Sequence, residues 1–326
     1  MKRIYLCILA GALSLDASVV EVKPCDWVPP CEERGWKMYN SFAVGYRNDR
    51  QRLHEPTFVA TLDNFNTTTM QYQMVFAWER LILKLTADYG WLVHGNVSFK
   101  GNLAPFQAPE QNFGTFSTAS GYTVDVLPAI GCRIPFWQFA CQRGCLSFIP
   151  ALGLSYSHFN VFPIGRKQST PVGSGGLTTL EFTRPIQQDW WGPAMEGRIA
   201  LNWEDEWRFD IFYQYTHLNF RQTFSQDVSN FYPGAVNTSS IRYSTKGHTM
   251  RTQLGGADLS YRSPNHWQLG THFEGSATWS NTSNTIVRIL RNSFLPTTTE
   301  TRSTSTERLS LHWTRYLVNF YGSYWF

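Results

Sequence analysis

From Leu83 to Phe99 the chain alternates with a period of two over seventeen residues. Leu83, Leu85, Ala87, Tyr89, Trp91, Val93, Gly95, Val97 and Phe99 fall on one face. Lys84, Thr86, Asp88, Gly90, Leu92, His94, Asn96 and Ser98 fall on the other. Successive side chains of a strand point to opposite faces, so the pattern demands an extended backbone. Its length constrains the fold more than its period does. A strand in a soluble sheet runs to about 5–6 residues, whereas one crossing a bilayer at a tilt needs about 9–11 plus overhang. The same rhythm returns at Trp207–Thr216, at Trp267–Thr278 and at Tyr316–Phe326.

Composition narrows this further. Aromatic residues make up 16% of the 326 residues, 13 of them Trp, while charged residues are also 16%. Aromatic girdles at two membrane–water interfaces account for such a surplus. Past the N-terminus no stretch approaches the roughly 20 apolar residues of a membrane helix. Met74–Leu85 comes nearest, and Glu79, Arg80 and Lys84 interrupt it. The net charge of +4 is mild and dispersed, which argues against a nucleic-acid partner.

The expected fold is therefore all-β: a closed antiparallel transmembrane β-barrel. Ten strands are predicted, at 36–50, 68–79, 83–100, 118–136, 144–161, 188–204, 206–222, 244–262, 266–283 and 307–326, with eight or twelve as alternatives. Short turns near Glu79–Leu81, Trp137–Gly144, Glu204–Glu206 and Ser263–Asn265 alternate with long polar connections at 51–67, 101–117, 162–187, 223–243 and 284–306. Periplasmic turns and extracellular loops alternate in this way, and an even strand count puts both termini in the periplasm. Pro128, Pro150 and Pro193 fall inside predicted strands, where each removes a ladder hydrogen bond. Bulges or irregular pairing are expected there.

The ends of the chain support export. Lys2 and Arg3 precede an apolar stretch from Ile4 to Leu15, which reads as a signal peptide over 1–18. A periplasmic segment follows over 19–35, and the barrel spans 36–326. Phe320, Tyr324 and Phe326 lie at alternate positions up to an aromatic terminus, resembling the signal that the outer-membrane assembly machinery reads. Expected partners are thus outer-membrane lipid and that machinery.

Lumen-facing positions should carry Lys84, Asp88, Asp125, Arg133, Glu196, Arg198, Arg208, Asp210, Arg251, Glu274, His312 and Arg315. Charges of both signs in a narrow space must pair or meet water. They form either a polar core that fills the barrel or the lining of a narrow aqueous path. Ten strands lie near the filled limit. No metal site, cofactor or catalytic set is assigned. Ten strands also describe the omptin proteases, which use an Asp pair and an Asp–His pair. The chain holds no Asp-x-Asp, Asp-x-His or His-x-Asp. For an acyl hydrolase, His158 with Ser157 and His217 with Ser225 are the available combinations.

Past the signal peptide remain Cys25, Cys31, Cys132, Cys141 and Cys145, all assigned to the periplasmic side. Export permits disulfides, and an odd number leaves a thiol for another molecule. Periplasmic cysteines are the habit of chlamydiae, whose envelope proteins are disulfide cross-linked. The segment Leu83–Gly101, with Tyr89-Gly90-Trp91 and His94-Gly95, resembles the outer-membrane proteins of amoeba-associated chlamydiae, the Pom family. The resemblance covers strands two to five. It implies an abundant envelope barrel with porin activity, and it carries over no functional residue. The reading is an outer-membrane envelope barrel, as a narrow porin and with disulfide-linked envelope partners. An outer-membrane hydrolase and a surface adhesin are the rivals.

Overall fold

The computed structural model describes residues 35–54, 58–101, 111–139, 144–169, 177–204, 206–232, 235–294 and 297–325. The signal peptide, most of the 19–35 segment, Cys25, Cys31, Cys141 and Phe326 lie outside them. Twelve strands follow one another: β1 (Trp36–His54), β2 (Phe58–Trp78), β3 (Leu81–Gly101), β4 (Gln111–Cys132), β5 (Ile134–Phe139), β6 (Gly144–Ile164), β7 (Arg166–Ser169), β8 (Leu177–Trp203), β9 (Trp207–Tyr232), β10 (Ala235–Arg262), β11 (Trp267–Phe294) and β12 (Thr297–Trp325).

Ten of these close a ring in the order β1, β12, β11, β10, β9, β8, β6, β4, β3 and β2. Every neighbouring pair is antiparallel. β5 and β7 are short continuations of β4 and β6, past Arg133 and past Gly165 with its φ of 98°. The ring leaves no long edge, so the backbone groups of a membrane-spanning sheet find partners within it. The chain forms a ten-stranded antiparallel outer-membrane-type barrel, as its alternation requires.

One end of the ring carries tight turns. Trp78 faces Leu81 across two residues, and Trp203 faces Trp207 across three. Glu79, Glu204 and His266 take positive φ there to reverse the chain. The first strand begins and the last ends at this same end, where Tyr39 pairs Trp325. At the opposite end the strands run on far past the predicted limits. β8 to β12 have 26 to 29 residues each, against 19 in β1. The long loops expected at 51–67, 223–243 and 284–306 are thus mostly paired strand, and parts of 101–117 and 162–187 are too. These Thr- and Ser-rich stretches lack a two-faced pattern because above a bilayer neither face must be apolar. Thr still favours the extended backbone, and pairing satisfies its amides.

The prolines mark lapses in the ladder. The β4–β6 register runs to Val126↔Tyr156 and resumes at Ala129↔Gly153, passing over Pro128. The β8–β9 register breaks between Trp191↔Asn219 and Ala194↔Thr216, passing over Pro193. Pro150 lies opposite the break between β4 and β5. Each proline is paired on its other side, so the count stays at ten rather than eight.

Outward positions are aromatic in two bands. Trp36, Trp78, Trp137, Trp203, Trp207 and Trp267 are exposed near the short-turn end, and Trp91, Trp191 and Trp279 nearer the hairpin end. Trp190 does not join either band. It is 0% exposed and points inward, since its neighbour Trp191 holds the outward position.

Candidate functional site in the barrel lumen

Along β1 the inward positions run Arg47, Asp49, Gln51, Leu53, from short-turn end to hairpin end. That order, polar then apolar, holds around the lumen. In its hairpin half, Leu53, Phe65, Val97, Phe99, Phe116, Phe159, Leu180, Phe182, Trp190, Phe220, Met250, Leu311 and Trp313 belong to one buried cluster. Rings from distant strands meet within it. Trp190 of β8 lies 4.9 Å from Trp313 of β12, centroid to centroid, and 4.6 Å from Phe220 of β9. Phe116 of β4 meets Phe182 of β8 edge-on at 5.1 Å.

Below this plug a hydrogen bond spans the barrel. Gln188 Nε2 donates to Gln51 Oε1 at 3.0 Å and is also 3.0 Å from Gln222 Oε1. β1 and β8 are five places apart in the ring of ten, so they stand on opposite walls. At that level two side chains occupy the whole width.

Two charged groups follow toward the short-turn end. In the first, Arg47 donates to Asp49 and to Asp125 at 2.6 Å each. Arg315 lies 3.3 Å from both carboxylates and stacks over Trp313 at 4.7 Å. Trp313 Nε1 donates to Asp49 at 3.0 Å. Asp88 is buried nearby, and neither of its oxygens has a hydrogen-bond partner among the described residues. In the second group Arg198 is the hub, donating to Glu196 at 3.2 Å, Asp210 at 2.9 Å and Asp258 at 2.7 Å. Lys84 bridges to Glu196 at 2.6 Å, and Arg208 to Asp210 at 2.8 Å. His272 lies between Asp258 and Glu274. A cavity in this half is lined by Lys84, Arg133, Glu196, Arg198, Arg208 and Glu274, among others.

Local fit makes room for such contacts. Gly45 in β1 lies against Asn319 of β12, where a Cβ would overlap the Asn319 amide. Asn319 there accepts a hydrogen bond from Thr69 of β2 at 3.0 Å, reaching over β1.

Of the twelve expected lumen residues, ten point inward. Arg251 and His312 do not; both are exposed on the outer face. The β10 register jumps from Gly247↔Phe220 to Met250↔Leu218, three residues against two. One extra residue reverses the parity of everything after it, so Met250 and Thr252 face in and Arg251 faces out. His312 shares its face with Tyr316 and Phe320, and Trp313 takes the inward place. Conversely, Arg47, Asp49, Asp258 and His272 belong to the lumen sets but were not among the expected residues. Their signal was parity: Arg47 and Asp49 alternate with Tyr46 and Asn48, and His272 shares a face with Glu274.

The hydrolase candidates are not assembled. Ser157 and His158 are adjacent in β6 and point to opposite faces. His217 and Ser225 stand eight residues apart on one strand. A His–Asp pair does form, His158 Nδ1 to Asp189 at 2.8 Å, with the Tyr156 hydroxyl donating to the same carboxylate at 3.2 Å. It is cross-strand, which a search at spacing two does not detect, and it lies on the outer wall beside Trp191. Cys132 and Cys145 are both at the short-turn end, at the close of β4 and the start of β6.

The architecture has a counterpart among solved structures. The crystal structure of the outer membrane protease OmpT from Escherichia coli aligns with a TM-score of 0.61 at 10% identity, over 89% of this chain and 97% of that one. The outer membrane protein OprG of Pseudomonas aeruginosa aligns at 0.30 and 10% identity, over 90% and 96%. The toluene transporter TodX of Pseudomonas putida gives 0.29 and 11%, over 89% of each. Identities this low speak to fold alone. No curated protein matches. The profile described as Pom, Protochlamydia outer membrane protein, matches residues 41–326, nearly the whole barrel. The chain is an outer-membrane β-barrel belonging to the Protochlamydia outer membrane protein family.

Proposed function

We propose that this barrel serves the envelope as a closed structural element, and not as an open porin, with its short-turn end in the periplasm. The observation that carries this reading is the Gln51–Gln188 hydrogen bond between opposite walls, at 3.0 Å beneath an apolar plug. A water-filled path needs an unbroken polar bore. Here the charges, Asp88 aside, are also matched among themselves, so they favour a core over a conduit. The orientation follows from the rule that barrel turns are short on the periplasmic side and long outside. It places both ends of the barrel in the periplasm, after an exported N-terminus.

Cys132 at that end supports a further part of the proposal, disulfide linkage to neighbouring envelope proteins. Refolded protein in planar bilayers should give no discrete current steps. The double variant Gln188→Gly/Trp190→Gly should open small ones. Regular steps from the unaltered protein would sink the closed reading and restore the narrow porin.

A further inference from the structure

On the outer wall, where side chains meet lipid, the hairpin end of one side carries cation set against cation. Lys246 of β10 stands directly opposite Arg221 of β9, and both are exposed. Two rungs nearer the bilayer, past Asn219, Arg251 of β10 stands opposite His217 of β9. That rung continues through Trp279 of β11 and His312 of β12 to Arg52 of β1, all facing out. Like charges directly opposite on neighbouring strands destabilise a sheet. Among the described residues neither Arg221, Lys246, Arg251 nor Arg52 has a carboxylate within ion-pair distance. Nearby acids are engaged elsewhere: Asp63 with Arg50 at 3.3 Å, and Asp189, which stands opposite Arg221 on its β8 side, with His158 at 2.8 Å.

The feature is confined to one side. Past Arg52 the same rung runs on through Thr61, Ser98 and Thr115, which carry only hydroxyls. Its height is also informative. On β12 the outward residues from Tyr324 through Phe320 to Tyr316 span about 27 Å of strand, or about 21 Å along the barrel axis at a tilt near 40°. This nearly fills the apolar band of about 25 Å. His312 lies four residues further, about 10 Å higher. The rung therefore sits at headgroup level, above the acyl chains.

We infer that this face, from β9 across β10, β11 and β12 to β1, binds phosphate groups on the headgroup of outer-leaflet glycolipid. A phosphate between Lys246 and Arg221 turns a repulsive arrangement into charge-assisted hydrogen bonds, and further phosphates can meet Arg251 and Arg52, three strands apart on the lower rung. His217 and His312 can donate to it in either charge state. Trp279 gives the sugar an aromatic surface at the interface, where such rings prefer to lie. The inference rests on the proposed orientation, which sets the hairpin end in the outer leaflet.

Refolded protein in detergent, titrated with a bis-phosphorylated lipid A and with its dephosphorylated form, tests it by native mass spectrometry. The phosphorylated lipid should be retained more tightly. R221Q/K246Q and R52Q/R251Q should each weaken that retention by about tenfold, the equivalent of about 1.4 kcal/mol, and leave the dephosphorylated lipid unaffected. K100Q, on β3, should change nothing. Heat-modifiable gel mobility keeps a misfolded variant from being read as a binding loss. Equal retention of both lipids, or undiminished retention by both double variants, overturns the site. Displacement by millimolar inorganic phosphate would show a general anion site and overturn the lipid assignment. Orientation is read separately, by membrane-impermeant labelling of a cysteine placed between β9 and β10 on intact cells. Its failure would be visible whatever the micelle titration gives.

Discussion

Arg198 holds three carboxylates, and that makes it the residue whose loss should be felt most. In Arg198→Met, Glu196 keeps Lys84 and Asp210 keeps Arg208, while Asp258 is left with His272. Removing one partner from a buried ionic network costs about 3–5 kcal/mol. Urea unfolding in micelles should show a loss of that size, and Asp258→Asn in the same chain should recover part of it. A loss below about 1 kcal/mol would mean that water enters the group and screens it. At this scale the legible signal was parity, although His312, on the same unbroken face as Tyr316 and Phe320, was assigned to the wrong side. Ten of twelve lumen residues followed from counting by two. Arg251 did not, because a one-residue insertion in the ladder is invisible to a pattern with no partner strand beside it. The hydrogen bond across the lumen was not legible either, since neither Gln51 nor Gln188 differs in sequence from an ordinary polar position.

Among elements, β10 shows how much a single bulge decides. Between Gly247 and Met250 its inward set changes from odd to even positions, keeping Thr245 and Met250 both inside. Deleting one residue here, Thr249, would restore a strict alternation in which Gly247, Met250, Thr252, Asp258 and Ser260 all keep their inward places. That variant should still assemble and keep the fast-migrating unboiled band; loss of that band would show that the bulge itself is needed. At the other end of the sheet, β12 presents Phe320 and Tyr324 outward and pairs with β1 to close the ring. Removal of Phe326 should slow assembly in cells without altering refolding in detergent, and equal surface display of that variant would refute the role given to the terminus. Strand identity was readable from the sequence because a bilayer enforces two faces. Strand length was not, because the hairpin extensions leave the bilayer and lose that constraint.

The whole molecule is a ring whose two halves differ. Its outer wall is aromatic in two bands, its short-turn half is ionic within, and its hairpin half is apolar within. Intact barrels of this kind resist detergent at room temperature, so unboiled protein should migrate ahead of boiled protein, and identical mobility would count against closure of the ring. The contacts that cross the lumen also have a mechanical meaning. An empty cylinder under sideways load flattens into an ellipse, since its wall bends more readily than it stretches. Gln51 joined to Gln188, and Trp190 set against Trp313, tie walls that stand far apart around the ring, like spokes in a wheel. A spoked ring keeps its roundness when neighbours crowd it, so a membrane packed with such barrels would gain stiffness from every copy it holds.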